Sequence, residues 1–208
     1  MTVTTPEEAP WLEWAAAARA LHMWEESGDL HVVQPFAGGA LVAVIDGLGH
    51  GDEAALAARV AAERLREHAT RPVLECIEIC HEALRKTRGA VMSVASIDRD
   101  ASIVRWAGIG NVEAVLVRAS SSVTRPRESL NTRGGVVGYQ LPPMRVDELA
   151  IEPGDVLVLV TDGIRGTFMD AVRVEDDLQR MADHILGHEG KGTDDELVLV
   201  VRYLGGRS

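Results

Sequence analysis

The second half of the chain is built from short apolar segments with few residues between them. Three of them follow each other closely, at Ala90–Ile97, Ser102–Ala107 and Val112–Val117, and two more lie at Val156–Thr161 and Glu196–Tyr203. Segments of this length that are rich in β-branched residues are typical of strands. Parallel neighbours need a crossover of about a dozen residues or more, so the short connections favour antiparallel pairing.

The first half adds further strands and the helices. We predict strands at Trp11–Arg19, Leu30–Phe36 and Leu41–Ile45, and helices after Gly51-Asp52, over Pro72–Thr87 and over Val174–Leu186. The helix after Asp52 carries small apolar residues on one face: Ala54, Ala57, Ala58, Ala61 and Leu65. This order predicts an α+β fold, an αββα sandwich of two antiparallel sheets flanked by helices, as one domain over residues 1–208. The polar stretch from Ala119 to Pro143 is predicted to be a mobile or substrate-facing connection.

Charge limits the partners that such a domain can have. The formal net charge of -11 argues against nucleic acid, whose binding depends on Lys and Arg that neutralise phosphates. We therefore expect no nucleic-acid partner.

The segment from Met1 to Pro10 lacks the basic and apolar regions of a leader, and no apolar run reaches the length of a membrane span, so we expect a cytoplasmic protein that is not in a membrane. We expect a monomer, and Trp24 is a candidate for a partner contact.

Four aspartates lie at the ends of predicted strands, next to residues that favour turns. They are Asp29 after Gly28, Asp46 before Gly47, Asp162 before Gly163, and Asp194 before Asp195. Each pair alone is also what an ordinary turn needs. If the four strand ends meet at one edge, however, their carboxylates form an oxygen-lined, negative site that needs cations. Such oxygens select hard ions, Mn²⁺ or Mg²⁺, and two ions can activate a water against a phosphoryl group.

These motifs together resemble the PPM (type 2C) metal-dependent protein phosphatases, in particular their SpoIIE/RsbX-like bacterial branch. The resemblance covers nearly the whole chain. It is carried by Gly28-Asp29, Ile45-Asp46-Gly47-Leu48-Gly49-His50-Gly51, Gly108-Ile109-Gly110-Asn111, Thr161-Asp162-Gly163 and Asp194-Asp195 before an apolar strand.

The resemblance implies a role for each of these acidic positions. Asp46 would bridge two metal ions, and Gly47 would offer its carbonyl oxygen to one of them. Asp162 and Asp194 would ligate the other ion, with Asp29 contributing directly or through water, and Asp46 and Asp162 would be the catalytic residues. Asp195 is the alternative to Asp194. The implied reaction is hydrolysis of phosphoserine or phosphothreonine by an activated water, on STAS-domain proteins of the bacterial stressosome.

Two positions depart from the eukaryotic members of that family. Leu48 stands where those enzymes have a histidine that protonates the leaving alcohol, so another donor is needed, either a metal-bound water or His50. Gly28 stands where they have an acidic residue, which removes a ligand. No phosphate-binding arginine is evident, and Arg19 is the nearest candidate.

Two rival functions follow from the same motifs. A phosphotransferase with Asp46 as nucleophile would be expected to carry a second aspartate at the position of Leu48. A catalytically weak interaction module with the same fold is the other alternative.

Overall fold

The computed structural model describes residues 9–21, 26–120 and 125–206, and it shows two five-stranded antiparallel sheets. Trp24 and the first eight residues lie outside the described part. The first sheet has the order β1-β10-β9-β6-β7, and the second has the order β2-β3-β4-β5-β8. The strands are β1 (Leu12–Arg19), β2 (Asp29–Phe36), β3 (Gly39–Gly47), β4 (Ala90–Asp98), β5 (Ile103–Ile109), β6 (Glu113–Val117), β7 (Arg127–Leu130), β8 (Asp147–Ala150), β9 (Val156–Val160) and β10 (Glu196–Tyr203).

Helices cover the outer face of each sheet. The helices α1 (Asp52–Glu67) and α2 (Val73–Leu84) pack on the second sheet, and α3 (Leu178–Glu189) packs on the first. Successive residues of β3 show how both faces become buried: Val42 and Val44 point into the core between the sheets, while Ala43 and Ile45 point toward the helices. This alternation is the period of two that a strand imposes on its side chains. The predicted sandwich of two antiparallel sheets flanked by helices is therefore confirmed.

Three details differ from the sequence-based predictions. The connection from Ala119 to Pro143 contains β7, and β8 follows it, because polar edge strands such as Arg127–Leu130 lack the apolar run on which a prediction depends. The last helix begins at Leu178 and not at Val174, because the Asp177 carboxylate accepts a 2.9 Å hydrogen bond from the Arg180 N–H and caps it. A short 3-10 helix, Gly166–Ala171, was not predicted.

The topology gathers four strand ends at one edge of the sandwich. In the β2–β3 ladder Asp29 and Asp46 are direct partners. In the other sheet, β9 ends just before Thr161-Asp162 and its antiparallel neighbour β10 begins just after Asp194-Asp195. Among the residues described, no helix is both long and apolar enough to span a membrane.

Candidate metal centre

Three of the four aspartates line a common cleft of about 520 Å³ at this edge of the sandwich. They are Asp46, Asp162 and Asp194. The wall also includes Leu21, Leu48, Gly49, His50, Val91, Gly110, Asn111, Gly134 and Thr193. The fourth aspartate, Asp29, does not line the cleft; it is 4% exposed and lies beside Asp46 in the ladder.

Asp29 is a buried carboxylate whose hydrogen-bond donor, the Thr161 hydroxyl, is uncharged. Its Oδ2 accepts a 2.7 Å hydrogen bond from the Thr161 hydroxyl, and its own N–H donates to the Ser27 hydroxyl at 3.1 Å. Burial and, after it, the charge of Asp46 raise the pKa of Asp29 to about 8, although the Thr161 hydrogen bond acts in the opposite direction. Among the described residues, none supplies a positive charge that compensates ionised Asp29.

The pKa values of Asp46 and Asp162 are also raised by burial and by neighbouring carboxylates. Burial, followed by repulsion from Asp162 and Asp194, raises the pKa of Asp46 to about 7. The pKa of Asp162 is also raised, by burial and by Asp194, although the Lys191 ammonium lowers it. Carboxylates that raise each other's pKa in this way form a site that a cation stabilises.

Two neighbours to which the sequence analysis assigned no role hold Asp162 in place. The Asn111 side-chain amide donates to Asp162 Oδ2 at 2.5 Å, and the Lys191 ammonium donates to the Asp162 backbone carbonyl. Asn111 belongs to the Gly108–Asn111 motif, so its presence in that motif was the available signal. Lys191 lies between two glycines in a loop, and nothing in the sequence marked it.

Gly47 lies in a position that only glycine fits. A Cβ atom there would lie 2.1 Å from the carbonyl oxygen of Ala54, in the first turn of α1. Its N–H donates to the Gly28 carbonyl at 3.0 Å, which joins the end of β3 to the residue before Asp29. Gly47 is thus fixed between α1 and the start of β2.

Asp194 and Asp195 are adjacent in the chain but differ in their surroundings. Asp194 lines the cleft, and its Oδ1 accepts the N–H of Asp195 at 2.9 Å. The two carboxylate oxygens of Asp195 accept backbone N–H groups from Leu21 at 2.8 Å and from Gly28 at 2.6 Å. The geometry therefore favours Asp194 as the residue that faces the cleft.

Leu48, His50 and Arg19 were also considered from the sequence. Leu48 and His50 line the cleft, and the Leu48 N–H donates to the Gly89 carbonyl at 3.0 Å. Arg19 forms an ion pair with buried Glu196, with 3.0 Å between the guanidinium and the carboxylate. Its charge is therefore already neutralised by Glu196.

The oxygens at the cleft suit hard divalent cations. Within the described ranges, no three acidic, histidine or cysteine side chains form a ready-made cage around one ion. Mg²⁺ does not require such a cage, because it keeps several waters and binds through about one or two carboxylates. The set of Asp46, Asp162 and Asp194 fits this type of site, and Gly47 directly follows Asp46 in the chain.

Fold and site together define a class: the PPM-type serine/threonine protein phosphatases. Residues 37–204 match the model of the stage II sporulation protein E (SpoIIE) family, and the chain belongs to that family. It is 25% identical over 124 residues to the phosphoserine phosphatase RsbX of Bacillus subtilis (strain 168). That match spans 60% of this chain and 60% of RsbX, so it leaves a substantial part of the relative unmatched.

Two solved structures are similar over nearly their whole length. One comes from work on the bacterial stressosome as a modular system adapted to control secondary messenger signalling. It has a TM-score of 0.83 and 27% identity, and the match covers 92% of this chain and 99% of that one. The other is RsbX in complex with magnesium, with a TM-score of 0.83 and 18% identity over 97% of this chain and 98% of that one. At 18% identity, the second likeness supports the fold.

Proposed function

We propose that this chain is a metal-dependent phosphatase that hydrolyses phosphoserine or phosphothreonine on STAS-domain proteins of a bacterial stress-signalling complex. The observation that carries the proposal is the convergence of Asp46, Asp162 and Asp194 on one cleft, where burial and mutual repulsion raise the pKa values of Asp46 and Asp162. Membership of the SpoIIE family and the likeness to RsbX support the reaction class and the choice of partner.

Each carboxylate has a distinct task in this proposal. Asp46 would contribute to the binding of two cations, and the Gly47 carbonyl would help to hold one of them. Asp162 and Asp194 serve the other. Asp29 acts through water or directly, since Thr161 already occupies one side of its Oδ2. Bound Mg²⁺ or Mn²⁺ would lower the pKa of a water and neutralise the phosphoryl charge, so that hydrolysis needs no phosphoenzyme.

The chain's other residues position these ligands and the substrate. Asn111 and Lys191 fix the orientation of Asp162 from its side chain and its backbone. Leu48 has no proton to give, so either a metal-bound water or His50, which is exposed in the cleft wall, would protonate the leaving alcohol.

The wider properties of the protein remain predictions. A single domain over residues 1–208, a monomeric state and a cytoplasmic location all follow from the sequence. The stressosome as the place of action is supported by the likeness to RsbX and to the structure from stressosome work. The interaction module without efficient catalysis is the second candidate, and Gly28 favours it because it contributes no carboxylate beside Asp29.

Phosphate release from a phosphoserine peptide, measured as a function of Mn²⁺ concentration, tests the proposal. We expect the wild type to hydrolyse the peptide with Mn²⁺ and Asp162→Asn to lose about 100-fold or more of kcat/KM. Asp147→Asn, an exposed aspartate on β8 away from the cleft, is the matched control and should retain activity. A wild type that is inactive at every Mn²⁺ concentration would favour the interaction module, and a trapped aspartyl-phosphate would favour a phosphotransferase.

A further inference from the structure

Asp195 connects two backbone positions that are far from it in the sequence. Its Oδ1 accepts the N–H of Leu21 and its Oδ2 accepts the N–H of Gly28, at 2.8 and 2.6 Å. Both bonds are charge-assisted, a kind roughly twice as strong as a bond between neutral groups. One side chain thus holds both ends of the segment 21–28, and its two oxygens face backbone donors.

Glycine at position 28 makes this arrangement possible. A Cβ atom at Gly28 would lie 3.0 Å from the Cβ of Ala54 and 3.5 Å from Oδ2 of Asp195. Any side chain longer than one carbon would therefore compete with the Asp195 carboxylate for the same space. The absence of a side chain at 28 lets Asp195 approach the backbone there.

The two ends of the segment have different consequences for the cleft. Leu21 is part of the cleft wall, which also contains the apolar side chains of Leu48 and Val91. Gly28 precedes Asp29, but Asp29 is held independently by the Thr161 hydroxyl and by its pairing with Asp46 in the β2–β3 ladder. Loss of the Asp195 bonds would therefore release Leu21 more than Asp29.

We propose that Asp195 is a positioning residue for the substrate wall and not a metal ligand. It fixes Leu21 in the cleft wall beside Leu48 and Val91. These apolar side chains would contact an apolar residue next to the phosphoserine of a protein substrate. The assignment rests on the proposed phosphatase function and deepens it. It leaves Asp194 as the aspartate of this pair that binds the cation.

Kinetics with two substrates distinguish a residue that positions Leu21 from a residue that binds the metal. For Asp195→Ala at saturating Mn²⁺, we expect the KM for a phosphoserine peptide with an adjacent leucine to rise about tenfold, a typical value for one well-packed apolar contact. The loss of kcat/KM for para-nitrophenyl phosphate, which lacks the peptide, should be at least about fivefold smaller, since it cannot use the Leu21 wall.

Mn²⁺ affinity, measured by titration, supplies the matched control. We expect Asp195→Ala to change it by less than about threefold, and Asp194→Asn to weaken it at least about tenfold, the range seen for lost metal contacts. An equal loss of affinity in both variants would overturn the proposal and make Asp195 a ligand. Equal kinetic losses for both substrates would also overturn it.

Amide hydrogen exchange gives a readout that does not need activity. In Asp195→Ala the amides of Leu21 and Gly28 should exchange faster, while the amides of the β2–β3 ladder keep their protection. If the wild type hydrolyses neither substrate, the phosphatase function fails. The exchange pattern then decides the positioning role alone, and unchanged protection at Leu21 and Gly28 would refute it.

Discussion

Two buried aspartates, one near each end of β9, have different partners although they carry the same carboxylate group. Asp155, 1% exposed, precedes the strand and pairs with the Arg118 guanidinium at 3.0 Å, while the N–H groups of Ala119 and Glu152 donate to it at 2.8 and 3.0 Å. Asp29, 4% exposed, lies near the other end and has the Thr161 hydroxyl as its side-chain partner.

The difference lies in where the compensating charge comes from. The chain itself supplies the cation for Asp155, in Arg118, which also binds Glu128. At the cleft, the neighbours of Asp29 that affect its pKa by charge are the carboxylates Asp46, Asp195 and Asp194. A buried anion that is surrounded by other anions is costly unless a cation arrives from solution. Asp155 is therefore a structural aspartate, whereas the carboxylates at the cleft would be stabilised by a bound cation.

The largest effect on activity should come from Asp46→Asn. This variant removes a carboxylate whose charged neighbours among the described residues are other carboxylates. We expect kcat/KM for a phosphopeptide to fall about 1000-fold, because a bridging ligand is lost. In chelator at pH 8 the same variant should melt at a higher temperature than the wild type, because it removes a carboxylate whose pKa burial and repulsion raise. Calorimetry and a phosphate-release assay measure the two changes. A variant that is both less active and less stable would contradict the distinction.

Asp155→Ala should show the reverse pattern. It leaves the largely buried Arg118 guanidinium without one of its partners and removes the acceptor of two part-buried hydrogen bonds, so we expect the free energy of unfolding to fall by about 3 kcal/mol. Activity at a temperature where the variant is folded should stay close to that of the wild type, because Asp155 is outside the cleft. Urea denaturation measures the loss. A loss below about 0.5 kcal/mol, the level of an ordinary surface substitution, would argue against a structural role.

The pH dependence of stability tests the same contrast between Asp155 and the aspartates at the cleft. The pKa values of Asp29 and Asp46 are raised from 3.8 to about 8 and about 7, so the folded protein holds these protons more tightly than the unfolded chain. In chelator, the melting temperature should therefore fall as the pH rises from 5 to 8.

Added Mn²⁺ should reduce or reverse that fall, because cations bind the ionised carboxylates. Its stabilising effect should be larger at pH 8 than at pH 5. Melting curves with Mn²⁺ and with chelator at the two pH values make the comparison. An equal effect of Mn²⁺ at both pH values would mean that these carboxylates do not bind it.

Much of the fold could be predicted because its strands are apolar and regular. The order of strands and helices follows from runs such as Val156–Thr161, whose residues are almost all apolar, as expected for a strand that is buried on both faces. The edge strands β7 and β8 escaped prediction because their residues are mostly polar. Pairing with a neighbouring strand, and not their own apolar pattern, makes them strands.

The candidate site could be predicted only in part. Asp29, Asp46, Asp162 and Asp194 stood out because each follows or precedes a strand, and the structure brings three of them to one cleft and buries the fourth beneath it. The division of tasks between Asp194 and Asp195 could not be read from the sequence, because it depends on the N–H groups of Leu21 and Gly28. The contribution of Lys191 likewise depends on how its loop folds over Asp162.

The most direct test is anomalous diffraction from crystals of this protein that are soaked in Mn²⁺ at pH 8. The account predicts manganese peaks within about 2.5 Å of carboxylate oxygens of Asp46, Asp162 and Asp194, distances at which such oxygens bind divalent ions. It also predicts no peak at Asp155. Well-ordered crystals that show manganese elsewhere, or an empty cleft in an enzyme that needs Mn²⁺, would contradict the account.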